Sequence, residues 1–484
     1  QAGVEFKIKN TDTGAWVEQE ILYPTPTVLS SYFTNAEGWL VMPLALPFGN
    51  YELWEMQSPH GYLISKEPVP FTVTSENPAA YLEVVMENQP VMGKVTVEKT
   101  GEVLVGADLL DGVYIPRYAV QGLPGAVFDI VARRDIVTPD GTLRLKAGAI
   151  ADTLTTGADG KAESKLLFLG DYYAVERKAP AGMCLNTEEQ DFSLVYEGQT
   201  VPVVYTQTGV YNERQKAVVT LNKYCELPEN AGENFDPYSA VVFGLFARAD
   251  IPAADGTVAI SKDSLLEHLT FNRDGKAEVK TDLPLGAYYV RELQTGAEYV
   301  LDETEYDFTF AYAGQEVSTV EIPVNDGKAI ENKLLRGGLK IVKTFEGKTT
   351  PLAGIPFTIE GTTAAGTSIT LEAVTDENGE ILLDNLLVGE YTVKELESEL
   401  SAGYLLAEPQ TVTIAAGKIA ELFLENRLIR GSVKLIKTDK DSGAKLSGAV
   451  FALNATIRKA SDRTYVLAPS TVEVNETYDV ERRF

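Results

Sequence analysis

The 484-residue chain holds two cysteines, Cys184 and Cys225, and two histidines, His60 and His268. Two thiols cannot form a disulfide framework, and the sequence leaves open whether they pair with each other. The histidines lie far apart with no ligand spacing around either, which argues against a metal site and against an enzyme built on one. Acidic turns such as Asp439-x-Asp441-x-Gly443 lack the full calcium-loop pattern and read as turns. No apolar run reaches the roughly 18 residues that a membrane helix needs. Positive charge is also scarce: 42 Lys and Arg face 70 Asp and Glu, a net charge of −28. Such a surface repels nucleic acid and anionic membrane. No signal peptide or cell-wall sorting sequence stands out and the first residue is Gln, so the sequence reads as part of a longer protein. Helical periodicity is weak throughout; Ser261 to Leu269 is the candidate for a short helix inside an insertion.

The chain does carry 40 Gly, 23 Pro and 23 Tyr, with many short alternating runs between turn signals and 44% hydrophobic residues. That pattern predicts an all-β array of folded domains. A junction repeats four times: Asn88 precedes Lys99, Asn212 precedes Lys223, Asn332 precedes Lys343 and Asn426 precedes Lys437, always by eleven residues. The lysines themselves are 124, 120 and 94 residues apart. A fixed spacing between bodies of variable length marks domain boundaries. The reading is 1–91 as a domain lacking its first strand, 92–214 and 215–334 as domains with insertions, 335–429 as a compact domain, and 430–484 as an incomplete fifth.

Each lysine ends an alternating run: Val95-x-Val97-x-Lys99, Val219-x-Leu221-x-Lys223, Leu339-x-Ile341-x-Lys343 and Val433-x-Leu435-x-Lys437. Strand side chains alternate faces, so every one of these lysines is expected to point inward with the aliphatic residues. In the first domain Val4, Phe6 and Ile8 share the inward face, leaving Lys7 and Lys9 toward solvent. A turn follows in each domain, Thr34-Asn-Ala-Glu-Gly38, Thr156-Gly-Ala-Asp-Gly160, Asn272-Arg-Asp-Gly275 and Thr375-Asp-Glu-Asn-Gly379, all of hairpin chemistry. Gly-x-Tyr-x-x-x-Glu comes next, ending in Glu55, Glu176, Glu292 and Glu395, and the same parity sends those carboxylates inward. The closing strands Leu82-x-Val84-x-Met86-x-Asn88 and Ala420-x-Leu422-x-Leu424-x-Asn426 direct Asn inward as well. The closing registers before Asn212 and Asn332 are less regular. Insertions at Gly101 to Gln121, Arg134 to Asp152, Glu226 to Tyr238 and Ile251 to Leu269 are expected as surface loops, where a ligand site would more naturally lie.

A buried Lys, Glu and Asn admit two readings. One is a buried ion pair with an amide partner. The other is chemical: burial lowers the lysine pKa and raises the glutamate pKa, giving a neutral amine beside a neutral acid. The acid can then polarise the Asn carbonyl and relay a proton while the amine attacks, yielding a Lys-Asn isopeptide bond with no cofactor. Each site would react once, so this is maturation and not turnover.

The Val-x-Leu-x-Lys-Thr-Asp strand, the Leu-x-Gly-Ala-x-Phe strand, Gly-x-Tyr-x-x-x-Glu followed by Ala179-Pro-Ala-Gly182 or Ser401-Ala-Gly-Tyr404, and the terminal Glu-Asn together resemble the Cna protein B-type, SpaA-like domains of Gram-positive surface adhesins and sortase-assembled pilins. The resemblance covers nearly the whole chain. It implies immunoglobulin-like β-sandwiches in an elongated rod, joined within each domain by Lys-Asn isopeptide bonds with acidic assistance. Carried over, the sites are Lys99, Glu176 and Asn212; Lys223, Glu292 and Asn332; and Lys343, Glu395 and Asn426. Glu55, Asn88 and Lys437 belong to incomplete sites, because Lys7 has the wrong parity and no Gly-x-Tyr-x-x-x-Glu motif or matching closing Asn follows Lys437 before Phe484. The pilin-type Tyr-Pro-Lys segment is missing; Tyr23-Pro-Thr is not one. The expected role is a non-enzymatic stalk, extracellular and anchored to the cell wall through a region outside this segment, with neighbouring domains of a longer surface protein as its partners. The alternative is an adhesive module that binds a host matrix protein or glycan through the insertions of the second and third domains.

Overall fold

The structure, a computed structural model, describes residues 2–76, 81–431, 434–453, 456–458, 464–466 and 470–473. It is 50% strand and 2% helix, in four tandem domains whose sheets do not close into barrels. The second, third and fourth domains each pack two sheets face to face. In one sheet the opening strand runs parallel to the closing strand: Met92–Leu110 beside Val203–Asn212, Lys216–Cys225 beside Ile330–Asn332, and Arg336–Phe345 beside Ile419–Leu428. In the other sheet the glutamate strand is central. Gly170–Lys178 lies between Val127–Ala132 and Gln190–Leu194, Gly286–Gln294 between Val242–Ala247 and Tyr306–Phe310, and Gly389–Glu395 between Pro356–Thr363 and Gln410–Ile414.

The inward faces meet in one apolar core per domain, with Val95, Val97, Phe128 and Ile130 fully buried in the second and Leu339, Ile341, Phe357 and Ile359 in the fourth. Burying each such side chain contributes about 1.5–3 kcal/mol. The Gly-x-Tyr motif has a packing reason. Tyr172, Tyr288 and Tyr391 are buried, and each hydroxyl donates to the carbonyl four residues earlier, at 2.7, 2.6 and 2.7 Å. The glycine two residues before is demanded by close approach: a Cβ on Gly389 would stand 2.3 Å from the Thr362 carbonyl oxygen.

The first domain has one such sheet, in the order Tyr32–Phe33, Glu5–Asn10, Gly49–Gln57, Val69–Val73. Val4, Phe6 and Ile8 are buried there, with Lys7 and Lys9 partly exposed as their parity requires. The expected closing strand Leu82 to Asn88 does not form. Val84 and Met86 pack against the core, but residues 81–89 join no ladder, because no described strand lies alongside them as the opening strands do in the other domains.

Three further expectations are corrected. Ser261 to Leu269 is no helix; Leu265–Thr270 is a strand beside Val242–Ala247. The insertion at Gly101 to Gln121 is no loose loop, since the opening strand runs on through it and pairs with Val113–Gly122 as a hairpin. One side of that hairpin packs on the third domain, where Leu104 belongs to the core and its carbonyl accepts from Ala254 N at 2.8 Å. Arg134 to Asp152 and Ile251 to Leu269 likewise hold small hairpins, Ile136–Val137 with Leu143–Leu145 and Ile251–Pro252 with Val258–Ile260. Lys437, expected inward, is exposed in a segment whose nearest ladder contact is one bridge between Thr438 and Lys445, and no second sheet among the described residues covers it; Val433 lies outside the described residues.

Candidate functional site

The parallel ladder sets the geometry. Lys99 stands opposite Val210, Lys223 opposite Ile330 and Lys343 opposite Leu424. In each case Asn comes two residues beyond that partner, on the same face by period two. The lysine Nζ donates to the Asn Oδ1 at 2.6 Å for Lys99 and Asn212, 2.7 Å for Lys223 and Asn332, and 2.5 Å for Lys343 and Asn426. From the facing sheet the glutamate takes the other end of the amide. Asn212 Nδ2 donates to both oxygens of Glu176 at 3.0 and 2.8 Å, Asn332 Nδ2 to Glu292 at 2.8 Å, and Asn426 Nδ2 to Glu395 at 2.7 Å. Lysine and glutamate themselves approach to 4.0, 3.3 and 3.2 Å. All nine residues are at most 4% exposed.

Burial governs their protonation. It pulls Lys99 down to about 8, with the charge of Glu176 acting in the opposite sense. Lys223 and Lys343 are lowered by the same cause against the pull of Glu292 and Glu395. Glu176 is raised, again by desolvation first. The dryness has an identifiable source: Phe128, Phe243 and Phe357, all fully buried, pair across the sheet with Glu176, Glu292 and Glu395. Lys223 Nζ also sits 5.1 Å from the centre of the Phe243 ring.

Two contributors escaped sequence reasoning although their motifs were in view. The hairpin-turn glycines lie on the lysine backbone: Lys99 N donates to Gly160 O at 2.7 Å, Lys223 N to Gly275 O at 2.7 Å and Lys343 N to Gly379 O at 2.9 Å. A Cβ on Gly275 would stand 2.2 Å from the Lys223 carbonyl oxygen, which is why the turn ends in glycine. Backbone donors also hold the acids. Asn186 N reaches Glu176 at 2.9 Å and Asp302 N reaches Glu292 at 2.8 Å, each ten residues beyond the glutamate it serves. In the fourth domain Ala407 N donates to Asn426 Oδ1 at 2.8 Å instead.

The incomplete sites differ from one another. In the first domain Glu55 is buried and accepts from Asn88 Nδ2 at 3.0 and 2.8 Å and from Ser65 N at 2.6 Å. No ammonium among the described residues pairs with Glu55 or donates to Asn88. Among the described residues, Lys437 meets neither a Glu nor an Asn of this kind. Cys184 and Cys225 are both free, and no cluster of His, Cys, Asp or Glu among the described residues could hold a metal.

A nucleophile, an amide carbonyl and a carboxyl group in mutual hydrogen-bond reach inside a dry core are the components of an acyl transfer. Comparison with known proteins bears on the scaffold. The SpaA prealbumin-like fold domain matches residues 2–90, 118–208, 234–324 and 337–427, and the chain belongs to that family. The matched segments contain all four glutamates but leave Lys99, Asn212, Lys223 and Asn332 outside. Among solved structures, the Bacillus anthracis TIE protein is similar at 18% identity, over 88% of this chain and 68% of its own, with a TM-score of 0.49. BcpA, the major pilin subunit of Bacillus cereus, aligns at 17% identity over 70% of this chain and 100% of its own, with a TM-score of 0.30. GBS52, a minor pilin of Streptococcus agalactiae, aligns at 20% identity over 45% of this chain and 97% of its own, with a TM-score of 0.19. No curated protein matches.

Proposed function

We propose that this chain is an extracellular shaft segment of a cell-surface adhesin or pilus-like protein, and that its second, third and fourth domains each lock themselves with a Lys-Asn isopeptide bond. The observation that carries this reading is the threefold recurrence of one buried constellation, with Nζ within 2.7 Å of Oδ1 and the glutamate on Nδ2 every time. In the reaction, written for the second domain, the neutral amine of Lys99 attacks Cγ of Asn212. A C–N bond forms and the bond from Cγ to Nδ2 breaks. Glu176, whose carboxyl burial pushes up, gives its proton toward the departing nitrogen and recovers one from the attacking amine, so ammonia leaves and the acid is unchanged. Nothing is oxidised or reduced, and no cofactor is required.

The link ties the first strand of a domain to its last. Tension entering at one junction and leaving at the next then crosses the domain through a covalent bond, as a shaft needs. Four domains in tandem with short junctions suit an elongated segment that projects a binding region away from the surface. The adhesive reading through the insertions has less room, because one side of the 101–122 hairpin is covered by the third domain. Intact mass of the denatured chain tests the proposal: three ammonia masses below the plain sequence are expected, and a mass equal to the plain sequence overturns it.

A further inference from the structure

Two stretches outside the reaction sites match each other: Tyr196-Glu-Gly198-Gln199 in the second domain and Tyr312-Ala-Gly314-Gln315 in the third. Each follows the outer strand beside the glutamate strand, Gln190–Leu194 in one case and Tyr306–Phe310 in the other. Both reach back to the same place on the preceding domain. Gln199 Oε1 accepts from Ser58 N at 2.9 Å, and its backbone carbonyl accepts from Ile64 N at 3.0 Å. Gln315 Oε1 accepts from Ala179 N at 3.0 Å, and its backbone carbonyl accepts from Leu185 N at 2.8 Å. Ser58 and Ala179 are each three residues past the glutamate of their domain, and Ile64 and Leu185 each nine past it. The tyrosines repeat too, with Tyr196 OH on Tyr62 O at 3.5 Å and Tyr312 OH on Met183 O at 3.0 Å.

The grasped loops share a pattern, Ser58-Pro-His-Gly61 and Ala179-Pro-Ala-Gly182. The third domain departs from it, with Thr295-Gly-Ala-Glu298 at that position, and the fourth domain carries Ala415-Ala-Gly417-Lys418 where the grasping loop would be. There Lys418 O accepts from Gly338 N of its own domain at 2.8 Å, and the Thr295 hydroxyl bonds the site amide of Asn332 at 2.7 Å. The grasping loop and the grasped loop are thus present together at two junctions and changed together at the third.

We infer that Tyr-x-Gly-Gln is an interdomain latch, and that its partner is the Pro-x-Gly turn following the glutamate strand of the preceding domain in the same chain. The glutamine fits the task because one residue presents two acceptors, side-chain and main-chain, to two amides six positions apart on a turn. Two such bonds plus a tyrosine define an orientation, where a single contact would leave a pivot. At the junction of the second and third domains the 101–122 hairpin adds a separate contact, with Tyr118 OH on Asp282 O at 2.9 Å and Arg214 stacked 3.7 Å from the Tyr118 ring. The first junction lacks that hairpin; beside the latch, Leu63 packs on the core of the second domain and Pro139 lies against Gly61 there.

The test is pulsed electron–electron distance measurement on the full chain, with Cys184→Ser and Cys225→Ala removing the native thiols. Spin labels at Glu37→Cys and Lys165→Cys span the first junction, and labels at Asp255→Cys and Lys394→Cys span the third as a control. The parent should give a narrow distribution across the first junction. Gln199→Ala should widen it at least twofold without altering the third, and the mass deficit of the chain should stay the same, showing that the domains still fold and react. A distribution across the first junction that is unchanged in Gln199→Ala, or already as wide in the parent, overturns the latch.

Discussion

The Glu292 carboxylate stands 3.3 Å from the Nζ of Lys223 with neither side chain exposed to solvent. Two opposite charges at that range in a dry core attract strongly, yet each costs several kcal/mol to desolvate, and burial lowers the Lys223 pKa against the pull of Glu292. Glu292→Gln keeps the shape and removes the transferable proton. It should leave Lys223 and Asn332 unlinked, and the intact mass should rise by one ammonia relative to the parent, apart from the substitution itself. A full deficit in that variant would mean that the glutamate is not needed for the bond.

The pH dependence of bond formation in the second domain has a definite shape. The reactive pair, neutral Lys99 with protonated Glu176, carries the same number of protons as the ion pair, so its share does not change between the two titrations. Below the raised Glu176 value the pair takes up a further proton and the amine is blocked; above about 8, where Lys99 titrates, the pair loses the proton that the acid must relay. Refolding unlinked chain at a series of pH values, with mass sampled over time, should show a plateau that falls on the alkaline side from about 8. A rate that climbs steadily to pH 10 would show that Glu176 does not act as the acid.

Much of this was legible because strand parity is rigid. Lys99, Glu176 and Asn212 each share a face with aliphatic neighbours, and once the two sheets stack, parity alone brings them together. Parity says which way a side chain points but not what covers it. Lys437 and the run from Leu82 to Asn88 carry the same pattern as the complete sites, yet one is exposed and the other unpaired because no described strand lies against them. The Ser261 to Leu269 misreading has a local cause. A register shift between Leu245 and Phe246 skips Leu266, so the buried residues Leu266 and Leu269 fall three apart, as on a helix face. The contacts of Gln199 and Gln315 join separate domains, and no periodicity within one domain points to them.

In the fourth domain, two substitutions that both abolish the bond should differ in stability. Asn426→Ala removes the link but leaves Lys343 and Glu395 paired at 3.2 Å. Glu395→Ala removes the link and strands a buried ammonium. Loss of the bond costs each variant about 4–5 kcal/mol by analogy with a long disulfide loop. The stranded charge costs Glu395→Ala about 3 kcal/mol more. Chemical denaturation of the full chain, followed through hydrogen exchange of the fourth domain, should place Glu395→Ala below Asn426→Ala. Equal stabilities would indicate that Lys343 sheds its charge at no cost.

The first domain offers a comparison inside the same molecule. Its Glu55 and Asn88 are bonded much as Glu176 and Asn212 are, but the amide oxygen of Asn88 receives no lysine among the described residues, and the backbone from Tyr81 to Gln89 joins no ladder. In the second domain the corresponding strand, Val203–Asn212, is paired along its length with the opening strand. Two consequences follow. Peptide mapping should find Asn88 and Lys437 in unmodified peptides while Asn212, Asn332 and Asn426 appear in cross-linked ones. Amide hydrogens from Glu83 to Glu87 should exchange at least about 100-fold faster than those from Tyr205 to Tyr211, since a segment outside any ladder opens locally without unfolding its domain. A cross-linked peptide joining Asn88 to Lys7 or Lys9 would require those side chains to turn inward, against the buried placing of Phe6 and Ile8, and would overturn the strand register assigned to this domain.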